Sequence, residues 1–262
     1  MIATPDPTEA RMPDTVDIWY AFPGAIRNPE LLDSYKEILS AEEMTRFARF
    51  RFERDRHLHL VAWALVRTTL SRYADVAPEA WQFRRNYWGR PEISGPDVAP
   101  RLRFNLSHTR GLAACIVAHG VDVGIDVEDR RRDAHGPDIA RRYFSEREVA
   151  AFERLSPEEQ ATVFFEYWTL KEAYIKAVGV GISLGLERFS FSLDERGVPV
   201  GAPDRWPPVI SFDATLDDDP DHWQFAQFEP TPSHAMAAAV HRGDGPDRPI
   251  DLYEVVPGLD PE

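Results

Sequence analysis

The sequence predicts an α+β protein built as two similar α+β halves in one chain, with a ligand cleft between the halves. Strand-like and helix-like patterns alternate along the chain. A short echo relates the halves, because Trp63-Ala-Leu-Val-Arg67 resembles Trp168-Thr-Leu-Lys-Glu172. Each copy follows an aromatic and basic segment and precedes strands, which indicates a duplicated unit. We therefore expect an N-terminal half at residues 1–120, with a loose tail at 1–14, and a C-terminal half at 121–262.

In the first half, the pattern of Thr15–Phe22 predicts a strand. Ser40 and Glu43 have the spacing of a capping box and begin a helical region that extends to about Tyr73. His119-Gly120 resembles a hairpin turn that joins the strand before it to the strand after it. The other predicted elements are strands at Trp81–Arg85, Arg101–Leu106 and Leu112–Ala118 and a turn at Trp88–Pro91.

In the second half, Val121–Val127 predicts a strand, and helices follow from about Ala140. Ser145 with Glu148 and Ser156 with Glu159 are two further capping boxes. The helix from Ser156 should end at Gly179. Strands of one antiparallel sheet are predicted at Leu186–Leu193, Val209–Phe212, Trp223–Phe228 and Ala235–His241, and an apolar piece follows at Ile250–Val256.

The composition excludes several classes of protein. A formal net charge of -14 argues against nonspecific binding to nucleic acid or to an anionic membrane. No apolar run approaches the length of a membrane span, and the acidic, proline-rich start matches neither a signal nor a transit peptide. We therefore expect a cytoplasmic protein. The single cysteine, Cys115, excludes an internal disulfide and a multi-cysteine metal site.

The segment from Trp168 to Lys176 is the most informative stretch. It is rich in strong helix formers, and Trp168, Glu172 and Lys176 share one helix face, with Lys171 flanking it. A glutamate and a lysine four residues apart are often an ordinary surface pair. However, the chain contains only three lysines, and two of them adjoin this glutamate. A lysine provides a compact charge that suits a phosphate oxygen.

The segment Val123–Asp129 ends a strand with two carboxylates on one face, Asp126 and Glu128. Hard oxygen ligands beside the flexible Gly124 suit Mg²⁺, which keeps waters and takes further ligands from substrate phosphates. The alternative is that these acids pair with the arginines at 130–132.

Other patterns leave their role open. The five arginines between residues 46 and 56 form either a solvated basic face or an anion-binding face. Asn105-Leu-Ser-His108 places hydroxyl and imidazole groups at a strand end, where they could contact a phosphate or carry a proton. The sequence has no Walker P-loop, no dinucleotide-binding glycine motif after a strand, no H-E-x-x-H and no G-x-S-x-G.

Taken together, the motifs resemble the 4′-phosphopantetheinyl transferases, most closely the long, surfactin-synthetase-activator type. The G-x-D-x-E strand followed about 40 residues later by W-x-x-K-E-A-x-x-K is a specific pair. The motifs that occur in the family's order are Gly89-Arg90-Pro91, Phe104-Asn-Leu-Ser-His-Thr109, Gly124-Ile-Asp-Val-Glu128, Arg142-Tyr-Phe-Ser-Glu146 and Trp168-Thr-Leu-Lys-Glu-Ala-Tyr-Ile-Lys176.

The resemblance implies a pseudo-dimer that transfers 4′-phosphopantetheine from coenzyme A to a serine of an apo acyl or peptidyl carrier protein. Adenosine 3′,5′-bisphosphate would be released. It implies that Asp126, Glu128 and Glu172 hold Mg²⁺ and that Glu172 deprotonates the serine. It also implies that Lys176 stabilises or protonates the leaving phosphate and that Lys171 supports the diphosphate. Residues implied to contact coenzyme A are Arg46, Arg54, Gly89, Arg90, Pro91, Asn105, Ser107 and His108. Trp168 would only pack and fix the helix.

One position departs from the family. Many relatives have an arginine where this chain has Leu58, so phosphate binding could pass to Arg54 or Arg56. The carrier is expected to dock on a local basic patch such as Arg130–Arg132 or Arg141-Arg142, and the duplication favours a monomer. A binding module without chemistry would have lost Glu172 or Lys176. A diphosphate hydrolase with the same metal site would work without a carrier.

Overall fold

The computed structural model describes residues 14–132, 136–192 and 208–259. Tail residues 1–13 and Leu193, the end of a predicted strand, lie outside the described residues. The helices are α1 (Pro29–Ile38), α2 (Ala41–Arg49), α3 (Glu53–Leu70), α4 (Gly136–Tyr143), α5 (Glu146–Phe152) and α6 (Pro157–Val178). The strands are β1 (Val16–Ala21), β2 (Gln82–Arg85), β3 (Pro91–Gly95), β4 (Leu102–Thr109), β5 (Leu112–His119), β6 (Val123–Asp129), β7 (Phe189–Phe191), β8 (Ile210–Phe212), β9 (Trp223–Thr231), β10 (His234–His241) and β11 (Ile250–Glu254).

The chain folds as two compact α+β units, which confirms the predicted fold class. The first unit comprises residues up to 86, 91–120 and those from 248 onward, and the second comprises 87–90 and 121–247. We expected the segment after 248 in the C-terminal half, but β11 pairs in parallel with β1, with Ile250 opposite Val16. None of the helices in the described ranges is long and apolar enough to cross a membrane.

The first unit contains a four-stranded sheet in the order β11-β1-β5-β4, against which α3 packs. Trp19, Leu65 and Cys115 are fully buried in its core. The predicted hairpin at His119-Gly120 is wrong. Both edges of β5 are already paired, with β1 and with β4, so β5 has no edge left for the strand that follows it.

The second unit contains the three-stranded antiparallel sheet β6-β10-β9 and the separate ribbon β7-β8. We predicted the last four strands as one sheet, whereas the structure divides them between these two. Helix α6 packs on β6 and β10 and supplies much of the core, including Tyr167, Leu170 and Tyr174.

The helix predictions are correct in type and partly wrong in extent. Ser40, Ser145 and Ser156 each accept a hydrogen bond from the backbone three residues on, and all three capping boxes are formed. The single helical region expected from Ser40 is two helices, α2 and α3, separated at residues 50–52. Helix α1 was not predicted, although Asn28 caps it and Pro29 occupies its first turn, a pattern visible in the sequence.

A buried ion pair organises each unit in the same way. In the first unit, Arg67 of α3 donates to both carboxylate oxygens of Glu43, at 2.9 and 3.0 Å. Glu43 is the third residue of α2 and belongs to its capping box. The same guanidinium also donates to the carbonyls of Pro78 and Trp81, which flank a 3₁₀ turn before β2.

In the second unit, Lys171 of α6 lies 2.7 Å from Glu148, the capping-box residue of α5. Its Nζ donates to the carbonyls of Leu186 and Phe189, which flank a 3₁₀ turn before β7. Lys171 is thus the counterpart of Arg67. This shared clamp is stronger evidence of duplication than the five-residue sequence echo, which is displaced from it by one residue.

Candidate active site

Helix α6 and strand β6 meet at Gly124, where their backbones come unusually close. A Cβ at this position would lie 2.0 Å from the carbonyl oxygen of Ala173 and 2.5 Å from the amide nitrogen of Ala177. Only glycine permits this approach. The crossing brings Asp126 and Glu128, further along the strand, beside the face of α6 that carries Glu172 and Lys176.

Lys176 is bound to the first of the strand carboxylates. Its Nζ donates to Asp126 Oδ1 at 2.5 Å and to the carbonyl of Ile125 at 3.2 Å. The Asp126 side chain is 7% exposed and that of Lys176 is 27% exposed, so the ammonium reaches solvent while holding a buried acid. This geometry places a positive charge that is partly open to solvent at the rim of the carboxylate cluster.

Glu128 carries the second strand carboxylate. Burial raises its pKa, and the neighbouring Asp126 raises it further, while Arg132 and Lys176 act in the opposite direction. Arg132 donates to Glu128 Oε2 at 3.0 Å. The sequence alternative of pairing with arginine is therefore correct for Glu128.

Glu172 is the third carboxylate of the cluster. Its pKa is raised to about 7: burial contributes most, the charges of Asp126 and Glu128 also raise it, and Lys176 partly offsets the increase. The negative charges of Asp126 and Glu128 oppose ionisation of Glu172, so a nearby positive charge would stabilise the group. A carboxylate with a pKa near neutrality can accept a proton from a hydroxyl, and the cluster favours a bound cation.

The donor set fits Mg²⁺, because all three candidate ligands are carboxylates. Within residues 14–132, 136–192 and 208–259, however, no three acidic, histidine or cysteine side chains converge in a ligand geometry. Asp126 and Glu128 instead direct oxygens at Lys176 and Arg132. Two of the carboxylates with water and substrate phosphate would satisfy this ion.

Lys171 does not lie in this cluster, contrary to our expectation. Its side chain is completely buried, pairs with Glu148, and has the ring of Phe189 4.4 Å from Nζ. A side chain without exposed surface cannot support a diphosphate in this arrangement. Successive residues of a helix project about 100° apart, so Lys171 enters the core while Glu172 faces β6.

The first unit has no equivalent set of charges in its described residues. If Lys171 corresponds to Arg67, then Glu172 corresponds to Thr68 and Lys176 to Arg72. Thr68 donates to its own helix at 2.8 Å, and Arg72 stacks on Trp19 at 4.9 Å, where Lys176 instead binds Asp126. The duplicated architecture therefore carries its acid cluster in the second unit.

Arg90 anchors the end of α6. Its Nη1 donates to the carbonyls of Lys176 and Ala177, at 3.2 and 2.6 Å, and a cation suits this negative end of a helix. Gly179 caps the helix with φ +80, and a Cβ there would lie 2.6 Å from the Arg90 guanidinium carbon. The Gly89-Arg90 turn thus positions the helical turn that bears Lys176.

Trp168 packs as expected. Its ring stacks on Phe164 and meets the edge of Tyr143. Of the predicted basic docking residues, Arg130 is only 15% exposed and pairs with Glu229, whereas Arg131 and Arg132 are more than half exposed.

The remaining predicted ligand residues lie in the first unit, apart from Gly89. Arg46 ends α2, Arg54 is exposed in the first turn of α3, and Pro91 begins β3. Strand β4 extends to Thr109, further than expected, and contains Asn105, Ser107 and His108. Asn105 and Ser107 are buried and His108 is exposed.

The histidines on either side of Leu58 each contact a backbone carbonyl group. His57 contacts the carbonyl of Pro23, and buried His59 contacts that of Glu43, where burial lowers its pKa. Arg85, which the sequence analysis did not identify, lies near Arg46. Its Nε is 3.7 Å from Oε1 of Glu42, which precedes Arg46 by one turn of α2. Burial and the charge of Arg46 both lower the pKa of Arg85, as expected for adjacent cations.

The fold and cluster define an enzyme class. A buried carboxylate whose pKa lies near neutrality, close to two other acids and a lysine, suits the transfer of a phosphorylated group. Comparison with known proteins agrees. Residues 122–239 match the family model of the 4′-phosphopantetheinyl transferase superfamily, and residues 28–120 match that of the 4′-phosphopantetheinyl transferase N-terminal region.

Three curated relatives illustrate the similarity. The 4′-phosphopantetheinyl transferase HetI of Nostoc sp. strain PCC 7120 is 33% identical over 178 residues, which cover 68% of this chain and 74% of HetI. A 4′-phosphopantetheinyl transferase of Bacillus subtilis is 31% identical, with 70% and 80% covered. Sfp of Bacillus subtilis strain 168 is 30% identical, with 85% and 90% covered. The chain belongs to the 4′-phosphopantetheinyl transferase family and is of the Sfp type.

Proposed function

We propose that the enzyme takes 4′-phosphopantetheine from coenzyme A, places it on a serine of an apo acyl or peptidyl carrier protein, and releases adenosine 3′,5′-bisphosphate. Family membership supports the transfer to carrier proteins. The observation that carries the proposal is the acid cluster, in which burial, together with the charges of Asp126 and Glu128, raises the pKa of Glu172 to about 7 beside Lys176. The attacking hydroxyl must lose its proton to a base, and the phosphate that leaves when the diphosphate of coenzyme A is cleaved is stabilised by a cation, so the reaction needs these two kinds of residue.

Asp126, Glu128 and Glu172 would hold the divalent cation, with Mg²⁺ the expected ion. When bound, Mg²⁺ supplies positive charge that offsets the diphosphate and its developing charge. Asp126 contributes a buried oxygen already fixed by Lys176 at 2.5 Å. Glu128 lies two residues further along the same strand face.

Glu172 would accept the proton of the carrier serine, directly or through a water. A pKa near neutrality suits this role, because a useful fraction is ionised while the carboxylate remains basic enough to take the proton. Ligation of Mg²⁺ by Glu172 would compete with its action as a base, because both use the same carboxylate.

Lys176 would stabilise or protonate the leaving phosphate. It is the more exposed partner of its ion pair, and Arg90 fixes the helical turn on which it stands. The phosphates of coenzyme A would engage cations of the first unit, where Arg46 and Arg85 are adjacent. The other proposed contacts are Arg54, Gly89, Pro91, Asn105, Ser107 and His108, with Arg90 near the nucleotide.

We further propose a cytoplasmic monomer that serves fatty-acid, polyketide or nonribosomal peptide synthesis. The internal duplication supports the monomer, because a single chain supplies both halves. In the described second unit, Arg131 and Arg132 offer exposed charge to an acidic carrier.

The experiment is the intact mass of an apo carrier protein after incubation with the enzyme, coenzyme A and Mg²⁺. The proposal predicts a gain of one phosphopantetheine, which a chelator abolishes. No gain with several carrier classes, while coenzyme A still binds, would identify a non-catalytic binding module. Release of adenosine 3′,5′-bisphosphate without a modified carrier would identify a hydrolase.

A further inference from the structure

Strand β6, which carries two of the proposed metal ligands, ends in two matched arginine–carboxylate pairs. Arg132 Nη1 lies 3.0 Å from Glu128 Oε2, and Arg131 Nε lies 2.8 Å from Asp129 Oδ1. The two arginine side chains are almost equally exposed, at 63% and 62%, and each faces a much less exposed acid. The two pairs differ in their acids: Glu128, the partner of Arg132, belongs to the acid cluster, and Asp129, the partner of Arg131, does not.

Arg132 and a divalent cation would use the same carboxylate. Glu128 is 14% exposed, so its charge needs a partner that approaches from the open side. The guanidinium provides that partner here. A divalent cation on Glu128 would repel the guanidinium and take over its electrostatic role.

Of the two cations that hold the cluster, Arg132 is the easier to displace. Lys176 is anchored by Asp126 and by the Ile125 carbonyl, and its helical turn is held by Arg90. Arg132 lies beyond the end of β6, and its long side chain can return to water at little cost.

We propose that Arg132 is the exchangeable counter-ion of Glu128: it occupies the carboxylate when no divalent cation is bound, and cation binding displaces it. This inference depends on the metal site of the proposed function. It adds a device by which metal loading changes the exposed charge next to the site, since the released guanidinium becomes available to an acidic partner.

The test measures Mn²⁺ affinity by calorimetry, without coenzyme A or carrier, for the wild type, Arg132→Gln and Arg131→Gln. Both variants remove one positive charge from adjacent positions of similar exposure, so the net charge of the protein changes equally. Loss of the competing pair should make Arg132→Gln bind Mn²⁺ about two- to fivefold more tightly than Arg131→Gln, the range expected for an exposed ion pair. Circular dichroism confirms that each variant is folded.

Equal affinities in the two variants, or weaker binding by Arg132→Gln, would overturn the counter-ion role and leave the proposed function intact. Absence of Mn²⁺ binding in all three proteins would overturn the counter-ion role, because no cation would then exchange with Arg132 on Glu128 of the enzyme without substrate. The intact mass of the carrier protein after incubation with enzyme, coenzyme A and Mg²⁺ then shows separately whether the transfer reaction occurs.

Discussion

The buried pair of Lys171 and Glu148 should contribute stability rather than chemistry, and Lys171→Met tests this. The substitution leaves Glu148 without its cation in a site where both side chains have no exposed surface. Breaking such a pair costs about 3–5 kcal/mol, because the remaining charge is buried and uncompensated. With a urea m-value of about 2 kcal/mol/M, the unfolding midpoint should fall by about 2 M.

Lys36→Met is the matched control. Lys36 also lies 2.7 Å from a carboxylate, that of Asp33, but on an exposed helix surface, so its loss should change stability by at most about 0.5 kcal/mol. The double variant Lys171→Met with Glu148→Gln should recover part of the lost stability, since no lone charge remains and the amide oxygen can still accept the capping hydrogen bond from the Ser145 amide. An unchanged unfolding midpoint for Lys171→Met, together with lost activity, would refute the structural role and support a direct contact of Lys171 with the diphosphate.

Three further predictions follow from the same unit. Gly124→Ala should lower the free energy of unfolding by about 3 kcal/mol, because its Cβ would lie 2.0 Å from the backbone of α6. The control Gly24→Ala places its Cβ within 4 Å of no other atom, so it should change the free energy of unfolding by less than about 0.5 kcal/mol. A similar loss of stability in both variants, measured by urea titration, would contradict the close crossing of β6 and α6. Arg90→Ala should destabilise by about 1–2 kcal/mol through loss of the α6 cap, with partial rescue by Arg90→Lys, and equal effects of the two would count against capping. The pKa of Glu172 is raised from 4.5 to about 7, chiefly by burial, so between these pH values the native state holds a proton that the unfolded state has lost. The stability of the metal-free protein should therefore fall by about 3 kcal/mol as pH rises from about 4.5 to 7. Glu172→Gln should lack this pH-dependent loss of stability, and a variant with the same pH profile as the wild type would disprove the raised pKa.

The sequence predicted the elements whose signals are local. The capping boxes at Ser40, Ser145 and Ser156 rest on residues three apart, and all are formed. The carboxylates of β6 could be placed on one strand face by alternation alone. That they meet Glu172 depends on the Gly124 crossing, which is a tertiary contact, although the glycine itself was visible.

The failures arise where several segments compete for one surface. His119-Gly120 has the chemistry of a hairpin turn, but β1 and β4 occupy both edges of β5. Lys171 and Glu172 are neighbours in the sequence, and only the packing of α5 and β7 decides which side chain enters the core. The proximity of Arg46 and Arg85 has no sequence signal, because it depends on where the chain returns after α3, whereas the pairing of Glu128 with Arg132 was one of the two interpretations that the sequence left open.

The most direct test of the central claim is the rate of carrier modification by Glu172→Gln compared with Glu159→Gln. Both residues lie on α6, but Glu159 is an exposed capping residue near its start. We predict that Glu172→Gln lowers kcat about 10²- to 10⁴-fold with coenzyme A and carrier at saturation, as expected for loss of a general base, while Glu159→Gln retains kcat. Near-normal kcat for a folded Glu172→Gln would contradict the assignment of the acid cluster as the catalytic centre.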